Sequence, residues 1–426
     1  MDIKVDGFYK KTSVKDALTV ILSTAKTSEE VIPFENSLGR ILFEDVVSAV
    51  DLPPFDRSAM DGFAIKGKDS FGASQSNPIS LKIVGESKIG EMPYVSVGDL
   101  EAAPIMTGAP IPKGADAVIM IEYTKELSGK GLSGELEVFL PTAPGNNVSL
   151  KGEDVKKGET VLKRGRFIKP HDIGILAAIG KSRVKVFRKP EVAVISTGDE
   201  LMEVKDWGNN NEGTSAKITD VNSYTLCAMI LPIGVPHRIG IIKDDKQKIK
   251  DAIKKCLDYD LILISGGSSV GKKDYLPEVV KEMGKVLFHG VSLRPGRPTG
   301  FGVIKETPVF ILPGFPVSAM VSFEVFVKAL LQKMQGMKVC NTYPQTKATL
   351  KRKIASEIGR KDFVRVKLEK SDSSLLAEPI TSSGSGIISS MVKADGFVMV
   401  SEQLEGIEKG FEILVSVYPD FVDSPS

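Results

Sequence analysis

Residues 261–275 read LILISGGSSVGKKDY, a short wholly apolar run that breaks into a glycine- and hydroxyl-rich loop and leads into the helix-like stretch Pro277–Met283. An apolar run of this length, closed by a glycine turn, suits a strand buried on both faces. Two other stretches share the pattern, VAVISTGDEL at 192–201 and VFILPGFPVSA at 309–319. Helical stripes accompany them: Asn222–Leu231, then Ile249, Ala252, Ile253, Cys256 and Leu257, then Pro316–Met334 with Met320, Phe323, Val327, Leu330 and Leu331 facing inward. Alternating strands and helices with fully apolar strands predict a doubly wound α/β domain over 189–341, its parallel sheet covered on both faces.

Outward from this domain the texture changes. Val14, Ala17, Leu18, Ile21, Leu22 and Ala25 recur at helical spacing behind Ser13 and Asp16, which are placed to cap a helix. From Asp51 the chain becomes irregular, DLPPFDRSAMDGFAI, and 72–145 reads as short strands separated by turns, including Lys82–Val84, Ala117–Ile121 and Leu136–Leu140. A helix over Asp172–Ile179 follows, introduced by Pro170 and stopped by Gly180. Beyond Thr342 short strands return (Ala348–Ile354, Phe363–Leu368, Gly396–Val400, Glu412–Val417), predicting a small β-barrel or sandwich with no obvious helix. The expected division is 1–50 with 146–188 as an N-terminal helical part, 51–145 as an inserted β part, 189–341, and 342–426.

A chain of 426 residues has room for two to four such parts. Its 56 Lys+Arg against 54 Asp+Glu leave a formal charge of +2, which excludes a broad nucleic-acid-binding surface, so any anion site must be local. Cys227, Cys256 and Cys340 lie far apart with no CxxC spacing, and His171, His237 and His289 are equally scattered. That argues against a zinc cluster, an iron–sulfur centre and a disulfide framework, and for reduced thiols in a cytoplasmic protein. No apolar leader opens the chain, and the long uncharged stretch around Pro308–Phe323 is interrupted by Pro313, Gly314 and Pro316, so neither secretion nor a membrane span is expected.

Ligands of doubly wound sheets bind beyond the carboxyl ends of the strands. Three loaded loops would lie there: Ser196–Glu200; Ser265–Asp274, with Gly266, Gly267, Ser268, Ser269, Lys272 and Lys273; and Pro313–Ser318, with Gly314. Glycine turns let backbone N–H groups approach an anion, and hydroxyls and helix starts add donors, which together make a phosphate cradle. These loops lack both the GxxxxGK[ST] order and GxGxxG, so neither common nucleotide fingerprint applies to them. Glu200, Asp220 and Asp274 bring carboxylates to the same edge, where Mg²⁺ bridging to phosphate would relieve their repulsion. Helix capping or simple solvation is the alternative for each. Arg294-Pro295-Gly296-Arg297-Pro298 sets two guanidiniums on a stiff backbone, a clamp for a tetrahedral oxyanion or a pair of surface ion-pair partners.

These segments together resemble the molybdopterin molybdenumtransferase family, which includes the MoeA proteins and the E domains of plant Cnx1 and gephyrin. The resemblance rests on PPFDRSAMDGFA (53–64), IMTGAPIPKGADAVI (105–119), GEDV (152–155), STGDEL (196–201), TDVNSY (219–224), SGGSSVGKKDY (265–275), RPGRP (294–298) and LPGFPVSA (312–319), in order along nearly the whole chain. It implies an elongated four-part protomer with a MogA-like central domain, forming a homodimer. It further implies cleavage of adenylylated molybdopterin with Mg²⁺-dependent release of AMP, and transfer of molybdate, or of the similar oxyanion tungstate, to the dithiolene. By position, Ser269 and Asp274 match residues on the nucleotide side, and Asp220 with Glu200 match acids of metal-assisted cleavage. Asp61, Thr107 and Asp154 match residues needed for activity, the first two expected to act across the dimer. Arg294, Arg297 and Pro298 stand where relatives carry KPGKP beside molybdate, with Arg365 and either Ser385 or Ser389 completing that pocket. The chain departs from the family pattern in the two clamp arginines, in Pro277 where a lysine is common, and in Phe315 where an asparagine is usual. A molybdopterin adenylyltransferase, which shares the α/β domain and is itself a candidate partner, and a gephyrin-like scaffold are the alternative readings.

Overall fold

The computed structural model describes residues 11–128, 134–209, 216–266, 275–371, 374–380 and 386–418. The chain forms two compact units, one of residues 31–186 and the other of the chain before and after it.

The second unit begins with α1 (Val14–Ser23), where the Ser13 hydroxyl accepts the Asp16 N–H at 3.0 Å as the capping pattern predicts, and Val14, Ala17 and Ile21 are buried. Within 31–186, six strands form one sheet: β1 (Gly62–Ile65), β2 (Ile79–Ile83), β3 (Glu101–Ile105), β4 (Ala117–Met120), β5 (Thr124–Ser128) and β6 (Glu135–Val138), in the order β4-β1-β3-β2-β6-β5. Phe63, Ile65, Leu81, Ile119, Leu136 and Val138 fill its core. A separate cluster of Leu42, Val46, Leu162, Ile168, Leu176, Val184 and Val186 surrounds α2 (Pro170–Ala178).

The α/β domain is built on β7 (Glu191–Thr197), α3 (Asn222–Ile230), β8 (Val235–Ile242), α4 (Lys246–Lys255), β9 (Leu261–Ser265) and α5 (Leu276–Met283). It continues through β10 (Lys285–His289), the short β11 (Leu293–Arg294), β12 (Gly300–Ile304), β13 (Thr307–Leu312), α6 (Pro316–Ser322) and α7 (Lys328–Met334). A wide π-type turn, Phe323–Val327, joins the last two into the single long helix expected. Sheet order is β8-β7-β9-β13-β12-β10. The first four strands are parallel, but β12 and β10 run antiparallel at one edge, so the sheet is mixed rather than wholly parallel. These two strands escape a propensity reading because Gly300 and Gly302 interrupt one of them. The glycines are needed there, since a Cβ at 302 would lie 2.6 Å from the Lys285 carbonyl oxygen. Val194, Leu263, Phe310 and Leu226 pack on one face of the sheet with the α6–α7 helix, and Ile195, Ile264, Ile253 and Val280 on the other with α4 and α5.

The C-terminal part is a closed five-stranded barrel of β14 (Gln345–Leu350), β15 (Lys361–Ser371), β16 (Ser374–Pro379), β17 (Gly396–Val400) and β18 (Glu412–Val417). Closure follows the order β15-β16-β14-β18-β17, with β17 pairing back on β15. A short helix, α8 (Ser389–Val392), which the sequence did not suggest, precedes β17. The strand β11 pairs in parallel with the start of β15, placing Leu293 beside Lys361 and Arg294 beside Asp362. This ladder fixes the arginine clamp against the barrel.

Candidate active site

Strand order reverses direction around β7, with β8 on one side and β9 on the other, and such a switch point opens a crevice beyond the carboxyl ends. Register sets Ser196 beside Ser265, and Ser265 beside Leu312, so all three loaded loops leave the sheet at one edge. Gly266 donates its N–H to the Leu312 carbonyl at 3.2 Å. Its φ is +147°, and a Cβ there would fall 2.1 Å from the Thr197 Oγ1, so only glycine fits where these loops touch. Asn222, at the start of α3, donates its Nδ2 to the Gly314 carbonyl at 2.8 Å and ties down the third loop. Pro313 and Ser318 are buried in that loop and the helix after it. Gly267, Ser268, Ser269, Lys272, Lys273 and Asp274 lie outside the described residues.

Glu200 is exposed at this edge, while Asp220 is buried, 1% exposed. The Asp220 Oδ1 accepts the Ser196 hydroxyl at 2.9 Å and the Ser223 N–H at 3.1 Å, and its Oδ2 accepts the Ser223 hydroxyl at 2.5 Å. Arg238 comes within 3.5 Å of the same Oδ2, donates Nε to Ser223 Oγ at 2.7 Å and Nη2 to Glu203 at 2.7 Å, and lies over the Tyr224 ring. Burial opposes the Arg238 charge, yet the Glu203 carboxylate and its neighbours outweigh it and raise the pKa. Asp220 therefore ties the end of β7 to the first turn of α3, with both oxygens already accepting. Among the described residues no three His, Cys, Asp or Glu side chains converge on a metal site. The described carboxylates do not by themselves build a site for Mg²⁺.

A cavity of about 940 Å³ opens between the α/β domain and the barrel, lined by Arg294, Arg297, Pro298, Phe315, Ser318 and Arg365 among others. Arg294 and Arg297 are exposed along it, on a turn whose Arg294–Pro295 peptide is cis. Arg365, on β15, is 8% exposed and donates Nη1 to the Ser390 hydroxyl at 3.1 Å. Burial lowers its pKa, but a guanidinium starts so high that it stays charged at neutral pH. Ser390, in the first turn of α8, is thus one serine at this arginine. Ser389 is exposed beside it, and Ser385 lies outside the described residues. Nothing in the local sequence marks Ser390 as the inward-turned neighbour of the exposed Ser389. Arg360 adds a further guanidinium, held by Asp362 at 2.9 and 3.3 Å and by Glu357 at 2.8 Å.

In the 31–186 unit, Asp61 and Thr107 meet: the Asp61 Oδ1 accepts the Thr107 N–H at 2.7 Å and its hydroxyl at 2.9 Å. These bonds, the backbone one foremost, hold the Asp61 carboxyl below its ordinary pKa. Asp154 is exposed in another turn, where its N–H donates to the Leu52 carbonyl at 3.0 Å.

Fold and cavity define a multidomain protein in which the RPGRP turn and the loop after β13 of an α/β domain meet a barrel across a cation-rich cavity. Three family models match the chain: "MoeA N-terminal region (domain I and II)" at residues 12–180, "Probable molybdopterin binding domain" at 193–333 and "MoeA C-terminal region (domain IV)" at 347–418. The chain is 42% identical, over 95% of both chains, to a putative molybdopterin biosynthesis protein of Methanocaldococcus jannaschii. It is 36% identical, over 94% of both, to a molybdopterin molybdenumtransferase of Staphylococcus aureus. A crystal structure of a molybdopterin biosynthesis MoeA protein from Pyrococcus horikoshii superimposes with a TM-score of 0.83 at 39% identity, covering 96% of this chain and 99% of that one. The chain belongs to the MoeA family. No helix among the described residues is long and apolar enough to cross a membrane.

Proposed function

We propose that this protein is a molybdopterin molybdenumtransferase, which takes adenylylated molybdopterin and molybdate and releases AMP and molybdenum cofactor. The observation that carries the reading is the guanidinium-lined cavity, where β11 pairs with β15 and so brings Arg294 and Arg297 to the same space as Arg365. Three guanidiniums around one space suit a tetrahedral dianion, which needs several donors at fixed angles. The laced loops at the switch point support a phosphate-bearing end of the substrate in the crevice nearby.

Water cleaves the pyrophosphate with AMP as leaving group, and the two dithiolene sulfurs then replace oxygen on molybdenum with loss of water. Arg294, Arg297 and Arg365 hold the oxyanion while the Gly266 and Pro313–Ser318 loops orient the substrate. Asp220 acts by holding Ser196 and α3 in place. Mg²⁺ would supply charge neutralisation for the substrate's phosphates, with Glu200 and Asp274 proposed as the acids that would hold it. The homodimer, the contributions of Asp61, Thr107 and Asp154, and the division into 1–50 with 146–188, 51–145, 189–341 and 342–426 belong to the same proposal.

The test is incubation of the protein with adenylylated molybdopterin, Mg²⁺ and molybdate, following AMP by chromatography and cofactor by activation of an apo-molybdoenzyme. Both products are expected. Absence of AMP release together with absence of activation refutes the reading. Arg297→Ala is expected to keep adenylate binding and to weaken molybdate uptake.

A further inference from the structure

The cavity beside the clamp is far larger than a tetrahedral oxyanion requires. At about 940 Å³ it reaches the upper end of the range that encloses a whole small molecule. Its lining is also chemically uneven. Most of the charged groups on it are cations, yet one wall is the side chain of Phe315, a large apolar group left 56% exposed. Gly314 and Pro316 on either side are half-buried, and Leu312, Pro313 and Val317 are buried.

The ring has a fixed seat. Asn222 holds the preceding carbonyl, at Gly314, with a 2.8 Å hydrogen bond. The carbonyl of Phe315 accepts the Ala319 N–H at 3.0 Å and starts the first turn of α6. Gly386 lies to one side of the ring, with room for a Cβ at 3.4 Å from Phe315 Cδ1 and 3.6 Å from Cε1. The ring borders the cavity. A phenyl group with two rotatable bonds, pinned at its backbone, loses little entropy when a flat ring stacks on it.

We propose that Phe315 is the platform on which the planar pterin ring of the substrate stacks, at the cavity that holds the arginine clamp. Stacked there, the ring directs the adjoining dithiolene toward Arg294 and Arg297. Phe315 is a binding and specificity-determining residue: cations alone accept any compact polyanion, whereas cations with an aromatic wall select an anion that carries a flat ring. The inference rests on the proposed function and adds where the ring lies.

The test uses the full-length protein and 6-carboxypterin, an intrinsically fluorescent anionic pterin, with molybdate affinity measured in parallel by calorimetry. Stacking on an aromatic side chain typically contributes about five- to a hundredfold in affinity. Phe315→Ala is expected to weaken 6-carboxypterin binding by a factor in that range while molybdate binding stays within about twofold. Phe315→Trp is expected to restore the affinity and to quench the pterin fluorescence. Phe315→Ala binding the pterin as well as the unmodified protein does would overturn the platform while leaving the proposed function intact. So would Phe315→Trp binding as weakly as Phe315→Ala, or molybdate affinity falling in step with pterin affinity, since either assigns the residue a merely structural part. An unmodified protein that binds molybdate but no pterin would instead refute the substrate class, and the platform with it.

Discussion

Asp220 offers the sharpest check on the physical reasoning, because the sequence places it among acids that could bind a metal while the structure surrounds it with donors. Asp220→Asn keeps the shape and leaves Oδ1 to accept from Ser196 and the Ser223 N–H. It replaces Oδ2, which accepts the Ser223 hydroxyl and faces Arg238 at 3.5 Å, by an NH₂ donor. One hydrogen bond to a charged acceptor is worth about 1.5–3 kcal/mol. Stranding a buried ion-pair partner costs up to about 3–5 kcal/mol. Arg238 keeps Glu203 at 2.7 Å, which places the expected loss near the lower figures, about 2–3 kcal/mol. Asp220→Ala removes every acceptor and should cost about 4 kcal/mol. Urea unfolding followed by far-UV circular dichroism measures the loss. With a slope of roughly 2–3 kcal/mol/M, the Asn variant should unfold about 1 M earlier. A double-mutant cycle with Arg238→Gln should return a coupling of about 0.5–1 kcal/mol. An unchanged midpoint combined with lost AMP release would refute the argument and make Asp220 a direct ligand instead.

Two further outcomes are expected. Arg365→Ala should weaken molybdate binding about 10- to 100-fold and Ser390→Ala about 3- to 10-fold, the order of one or two polar contacts, with Ser389→Ala near unchanged by calorimetry. An effect confined to Ser389→Ala would contradict the observed contact. His289 is buried in β10, and desolvation holds its pKa below 6.5, so as pH falls the unfolded chain takes up this proton first. Its contribution is complete above about pH 6.5 and is lost as pH falls toward the folded-state pKa. Urea midpoints between pH 7.5 and 5.5 should therefore decline less for His289→Gln than for the unmodified protein; parallel slopes would show that His289 takes up the proton equally in both states.

Much of the α/β domain was legible because its signals are local. Three apolar runs each ended in a loaded loop, and their parallel register follows from burial on both faces. The antiparallel edge was not legible, since Gly300 and Gly302 suppress the strand signal and are required only by the close approach of β10. The contact of Ser390 with Arg365 was not legible either, since only the path of α8 brings that hydroxyl to the guanidinium. For Asp220 the sequence placed the acid at the correct edge but could not count its hydrogen bonds, which depend on Arg238 from a strand eighteen residues later.

The sequence by itself determined the order of elements, the apolar strands, the glycine turns at their ends and the motifs that mark the MoeA family. These are properties of residue type and spacing, written in neighbouring positions. Tertiary structure alone decided that the RPGRP turn pairs with the barrel, that Arg365 reaches the same cavity, that Asp61 meets Thr107, and that Phe315 stands open beside the clamp. Those relations join residues tens of positions apart, and no local propensity encodes them because they arise only when separately folded elements close on one another.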